Sequence, residues 1–182
     1  MGKKYDKITS RIERFIAEQK IFFVGTAMAD GRVNVSPKGM DSFRVVSSNK
    51  VLWLNLTGSG NETATHIQFN DRMTVMFCAF DGPPMILRLY GHAKAWHEGD
   101  PEFERYVSEF PKIAGTRQIF EMNVDLVQTS CGMAVPFMDF KSERTELADW
   151  AEDKGVAGIH QYQKDKNLVS LDGKPTGMPV ID

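Results

Sequence analysis

Two apolar periods succeed one another along the chain. In residues 5–19, Ile8, Ile12, Phe15 and Ile16 recur at i, i+4, i+7 and i+8, the spacing of one helix face. Arg11, Glu13, Arg14 and Glu18 fill the opposite face, so the helix is expected to lie on a core with its charges in water. From Phe22 the period becomes two. Residues 22–28 and 32–36 flank Ala29-Asp30-Gly31-Arg32, and Asp-Gly between strand-type runs predicts a tight type I′ hairpin. That turn sets Met28 opposite Val33, Thr26 opposite Val35 and Gly25 opposite Ser36. Val24, Thr26, Met28, Val33 and Val35 then make the core face. Gly25, Ala27, Asn34 and Ser36 make a small, polar one that ends at Pro37-Lys38-Gly39.

Further along, residues 43–46 and 51–55 read as a strand pair around Ser47-Ser48-Asn49-Lys50. Residues 58–70 read as a short helix, with Ser59 and Glu62 at capping-box spacing. Residues 73–80 and 85–96 form a second hairpin about Asp81-Gly82-Pro83-Pro84. Residues 101–110 begin with Pro101 beside acidic residues, as a helix start favours. Residues 118–127 alternate as a strand, 142–154 read as a polar helix, and 166–182 carry turn signals expected of a surface-wrapping tail. Six to seven strands, mostly linked by hairpins, predict an antiparallel barrel or α+β sandwich and not a doubly wound sheet. No biased linker divides the chain, so residues 1–182 are expected to be one domain, with 142–182 as a C-terminal helix and wrapping tail.

Charge narrows the function. Against 24 acidic residues stand 22 basic ones, for a formal net charge of −2. Such a chain lacks the basic footprint of a nucleic-acid binder, although a local pocket for one small anion stays open. No apolar run reaches the roughly 18–20 residues of a membrane helix. The N-terminal MGKKYDKITSRIERF has no continuous apolar stretch, so no signal peptide is expected. Cys78 and Cys131 cannot form a disulfide framework, and a reducing cytoplasm is the expected compartment. His66, His92, His97 and His160 show no metal-ligand spacing, and no metal is expected.

Two segments carry candidate chemistry. Gly58-x-Gly60-x-x-Thr63 opens a helix after a strand. It reads as part of a dinucleotide fingerprint, as a plain helix start, or as a phosphate seat where Thr57, Ser59, Asn61 and Thr63 surround exposed N–H groups. Thr in place of the third glycine and the hairpin-linked strands weigh against the first reading. Lys38 is either a solvated loop lysine or a cation at the end of the polar hairpin face, where Gly25 and Ala27 leave room for a flat ring.

In chain order come Phe23-Val24-Gly25-Thr26, Val33-Asn34-Val35-Ser36-Pro37-Lys38-Gly39, Gly58-Ser59-Gly60-Asn61-Glu62-Thr63 and Ile86-Leu87-Arg88-Leu89-Tyr90-Gly91-His92-Ala93. With them the chain resembles the pyridoxamine 5′-phosphate oxidase-like superfamily of FMN-binding split β-barrels. A bacterial branch of that superfamily also has Ser130-Cys131-Gly132-Met133-Ala134-Val135-Pro136 and Ser170-Leu171-Asp172-Gly173. The resemblance implies a mainly β protein with flanking helices, a six-stranded antiparallel Greek-key split barrel. It also implies a homodimer with FMN in the clefts between protomers, and an FMN-dependent oxidoreductase acting on a small substrate. Val35, Ser36, Pro37 and Lys38 map beneath the flavin ring, and Asn55, Leu56, Thr57, Asn61, Glu62 and Thr63 along the ribityl chain and phosphate. Asn61-Glu62-Thr63 lacks the basic residues of true pyridoxamine phosphate oxidases, and the chain lacks their basic, aromatic C-terminal segment, so vitamin B6 oxidation is not expected. The alternatives are a non-catalytic flavin module, or a split barrel using deazaflavin or haem, with His92 or His66 as axial ligand. Met133, Val135, Pro136, Phe137 and Met138 form an apolar loop, expected to be buried in the core or against a partner.

Overall fold

The computed structural model describes residues 2–180. Met1, Ile181 and Asp182, the extreme ends of the expected domain and tail, lie outside them. The strands are β1 (Lys3–Tyr5), β2 (Phe22–Thr26), β3 (Asn34–Lys38), β4 (Phe43–Ser47), β5 (Lys50–Leu56), β6 (Arg72–Cys78), β7 (Ile86–His97) and β8 (Thr116–Ser130). The helices are α1 (Ser10–Glu18), α2 (Glu62–Phe69), α3 (Pro101–Val107) and α4 (Glu146–Lys166). All strand pairs are antiparallel, in the order β3-β2-β6-β7-β8-β5-β4, with β1 also on β8. The mainly antiparallel sheet with flanking helices agrees with the sequence reading; the strand number, eight among the described residues, exceeds the six or seven expected.

The extra strand comes from the N-terminus. Tyr5, placed in a helix by its spacing, instead pairs with Val127 at the far end of β8. That helix starts only after Thr9, whose hydroxyl accepts from the Ile12 N–H at 3.4 Å. Ile12, Phe15 and Ile16 are buried as the period required. They join a core with Phe22, Val24, Val75, Phe77, Leu87, Leu89 and Phe120. A second apolar cluster lies beneath α3, where Phe103, Tyr106 and Phe110 meet Leu52, Leu54 and Ile119. Because β5 and β8 are covered on both faces there, successive residues of each are buried and alternation fades.

The first hairpin is corrected by one residue. The structure pairs Val24 with Ser36 and Thr26 with Asn34, where the type I′ turn had set Thr26 against Val35. A one-residue slip moves every side chain of β3 to the other face. Asn34, Ser36 and Lys38 therefore share the inner face with Phe22, Val24 and Thr26, while Val33 and Val35 stand 72% and 64% exposed. The connection opens because Asp172, from the tail, accepts from the Arg32 backbone N–H at 2.8 Å and pairs with its guanidinium. A turn held by an outside carboxylate has no need to close on itself.

Three further expectations shift. The capping box does not form: Asn61 is the N-cap of α2, and the Glu62 carboxylate accepts from the Leu171 N–H at 2.9 Å. The C-terminal helix runs to Lys166 past a kink at Gly155, whose φ of 65° suits glycine. The loop residues Met133, Phe137 and Met138 are exposed, so they do not belong to this chain's core.

Candidate functional site

Lys38 closes the inner face of β3. Its ammonium lies 5.1 Å from the centroid of the Trp53 ring on β5. Burial, and then the charge of Arg117, push its pKa down to about 8. The chain leaves β3 through Met40 and Asp41, with φ of 62° and 52°, a pair of left-handed non-glycine residues. Asp41 binds the Arg44 guanidinium at 2.7 Å, and the Ser42 hydroxyl donates to the Gly39 carbonyl at 2.6 Å. These contacts hold the conformation that sets where Lys38 ends.

Asn34 and Ser36 join this strand to α2. The Asn34 amide donates to the Thr63 hydroxyl at 3.2 Å, and the Ser36 hydroxyl donates to the Asn34 side-chain oxygen at 3.2 Å. One strand earlier, the Thr26 hydroxyl lies 3.0 Å from Nδ1 of the buried His66. The two segments singled out in the sequence, the strand ending at Lys38 and the helix start at Asn61, therefore meet through side chains.

A buried polar network continues inward. Asn55, Thr57, Asn61 and Thr63 are all buried. Gln118, opposite Asn55 on β8, donates to Asn61 Oδ1 at 2.7 Å and to Asn55 Oδ1 at 3.3 Å. The Thr57 hydroxyl accepts from the Gln163 amide of α4 at 2.8 Å. Arg117 sits among them, only 7% exposed. It donates to Asn55 Oδ1 from Nε at 3.1 Å and from Nη2 at 2.6 Å. Its Nη1 reaches the Gly60 carbonyl at 3.1 Å and Asn167 Oδ1 at 2.8 Å. Burial lowers its pKa to about 10. Neither Lys38 nor Arg117 has an ion-pair partner among the described residues.

Not every expected residue points to this place. Val35 and Pro37 lie on the outer face of β3 and are exposed. Leu56 packs against the second apolar cluster, away from Asn55 and Thr57. Glu62 is engaged by the tail. Arg117, Gln118, Gln163 and Asn167 were not anticipated. Asn55 pairs with Gln118 and Leu56 with Thr116, which leaves Arg117 as the extra residue of a β-bulge. A bulge breaks the alternation from which facing is read. The available signal was composition, since Thr116-Arg117-Gln118 puts three polar residues ahead of an apolar strand.

Three clefts lie elsewhere on the molecule. One of about 510 Å³ lies between α1 and the ends of β7 and β8, lined by Phe15, Met85 and Cys131. Another of about 710 Å³ runs beside α2 past Phe69, Trp96 and His97. A third, of about 260 Å³, opens at Phe22 and Phe43. None of the three is lined by Lys38, Asn55 or Asn61.

This fold has counterparts. The family model described as pyridoxamine 5′-phosphate oxidase matches residues 8–131, and the chain belongs to that family. It is 35% identical over 189 residues to the pyridoxamine 5′-phosphate oxidase family protein ustO of Aspergillus flavus, spanning 94% of this chain and 76% of that protein. In fold it is similar to HupZ of Group A Streptococcus, with a TM-score of 0.51 and 20% identity over 65% of this chain and 91% of that one. A candidate pyridoxamine 5′-phosphate oxidase from Lactobacillus delbrueckii gives a TM-score of 0.52 at 20% identity, over 68% and 94% of the two chains.

Proposed function

We propose that this protein is an FMN-binding flavoprotein, an oxidoreductase acting on a small substrate from a flavin site completed by a second copy of the chain. The observation that carries the reading is the junction of β3 with the start of α2 through the 3.2 Å Asn34–Thr63 hydrogen bond. It unites the two segments that the family resemblance assigns to the flavin ring and to the phosphate. The fit with an anionic, phosphate-bearing ligand is chemical. Lys38 is half-buried, lacks a carboxylate partner among the described residues and stands beside aromatic surface. Ser36 and Lys38 would face the ring, and Asn61 and Thr63 the phosphate. Bound flavin would supply the redox chemistry; the protein's part is to orient it and to place positive charge near its polar edge.

Exposed apolar residues support the second copy. Val35 faces outward on the edge strand β3 with Val33 exposed just before it, and Met133, Phe137, Met138 and Phe140 stand exposed in the segment after β8. Exposed large apolar side chains are what an interaction surface presents. Flavin is favoured over haem by the histidines. His66 is buried and bonded to Thr26, and His92 is exposed between Asp71 and Asp125, at 2.7 and 3.6 Å. Purified protein is expected to be yellow, to quench FMN fluorescence on titration and to sediment as a dimer. A colourless protein without quenching sinks the flavin reading. A species near 20.5 kDa sinks the shared site. A yellow protein that passes no electrons to or from any tested donor or acceptor sinks the oxidoreductase half alone.

A further inference from the structure

Arg117 is the least compensated charge in the interior. Around it the chain places Asn55, Gly60 and Asn167, all neutral acceptors, and none of its 24 acidic residues forms an ion pair with it among the described residues. Burying a cation without an anion is expensive, and natural interiors ordinarily supply the missing charge. The β-bulge that turns Arg117 inward is itself a local departure from regular pairing, of the kind found beside sites. The guanidinium also holds the Gly60 carbonyl, and so ties itself to the segment that leads into α2. Along β5, Asn55 under Arg117 lies two residues from Trp53 under Lys38, on the same face. Two cations without counter-ions and one helix start therefore line a single stretch of the structure.

We propose that Arg117 is the anchor of a seat for a phosphate monoester, and that it supplies the positive charge absent from Asn61-Glu62-Thr63. The proposal takes from the flavin reading only the identity of the molecule that carries the phosphate. Four of its five N–H groups are taken by Asn55, Gly60 and Asn167, which leaves one on Nη2 for a charge-assisted bond to a phosphate oxygen.

The test uses the full chain freed of ligand, with FMN, riboflavin and inorganic phosphate as separate probes. FMN should bind at least about 30-fold more tightly than riboflavin, because charge-assisted bonds contribute about 2 kcal/mol. In Arg117→Gln, FMN affinity should fall by about that factor while riboflavin affinity changes less than about threefold. Arg117→Lys should recover part of the loss, and it keeps the test open if the glutamine variant folds poorly. Inorganic phosphate should raise the melting temperature of the wild type and compete with FMN, and should do neither in Arg117→Gln. Equal wild-type binding of FMN and riboflavin, or equal loss of both in the variants, overturns the phosphate seat and leaves the flavin reading intact. Stabilisation by phosphate that depends on Arg117, with no binding of either flavin, upholds the seat and overturns the flavin reading.

Discussion

Strand β8 carries two buried charges four residues apart, and they are treated in opposite ways. Glu121 is closed off: Lys50 pairs with it, and the Trp96 indole N–H donates to it at 2.9 Å. Burial alone would raise its pKa, but the hydrogen bonds from Lys50, Trp96 and Tyr106 outweigh this and hold it below the ordinary value. Arg117 meets only neutral oxygens, and burial pushes its pKa down. A charge with its partners built in is part of the framework. A charge with dipoles alone is ready for a partner from outside. The chain thus separates the two roles on one strand, and the near balance of its overall charge conceals the difference.

The largest expected effect lies on the closed side. Glu121→Ala strips the partners of Lys50 and Trp96 and should destabilise the protein by about 2 kcal/mol in denaturant titration. That is less than a fully buried pair would lose, because Lys50 reaches solvent. The double variant Glu121→Ala with Lys50→Met should lose less than the sum of the singles. The pH dependence has a definite sign. A lowered carboxyl pKa gives stability that is complete above the ordinary value of 4.5 and is lost as pH falls through the folded value. If Glu121→Ala leaves both stability and its acid limb unchanged, the contrast with Arg117 collapses.

The contrast also shows what could be read from the chain. The Ile86–His97 strand with its hairpin partner Arg72–Cys78, the Lys50–Leu56 strand and the first turns of α3 were all legible, because local periodicity and turn residues decide them. The hairpin register was not, because Asp172, 140 residues on, takes the Arg32 N–H and holds the turn open. Lys38, Asn61 and Thr63 were legible as site candidates from residue type and order. Arg117 was not, because its facing depends on a bulge between Asn55 and Leu56 that no alternation announces. The face that Val33 and Val35 take followed from the same lost register.

Lys38 gives the intermediate test, since it titrates where binding can be followed. Its pKa of about 8 lies below the ordinary 10.5, so the fold disfavours its charged form. The ligand-free protein therefore carries a penalty below pH 8 that is relieved as the pH rises from there towards 10.5. A bound anion favours the ammonium and draws its pKa back up. FMN affinity should hold steady just below pH 8 and then fall by up to about tenfold per pH unit above it. Lys38→Met should weaken binding at pH 7 and abolish that slope. Slopes that match in wild type and variant would remove Lys38 from the open site.

The smallest effect is expected at the pair that ties the first hairpin to the tail. Arg32 and Asp172 join the β2–β3 connection to the tail, and the same tail places Asn167 on Arg117, its backbone carbonyl in turn accepting from the Thr176 hydroxyl at 2.7 Å. The Arg32 side chain is largely exposed, so salt screens the pair, and global stability should hardly respond to Asp172→Ala. Local order should respond. Without the carboxylate, the Arg32 backbone N–H loses its acceptor, and the tail keeps the Glu62 bond to Leu171, the Gln68 bond to the Pro175 carbonyl and the Thr176 bonds in this stretch. Amide exchange should quicken at Arg32 and across 170–176 while the β7–β8 core stays unchanged. Flavin association should be faster if this tail restricts entry to the Arg117 seat, and unaltered if the seat is reached from the outer face of β3. Measuring exchange and association on the same variant tells which face of the open site the ligand uses.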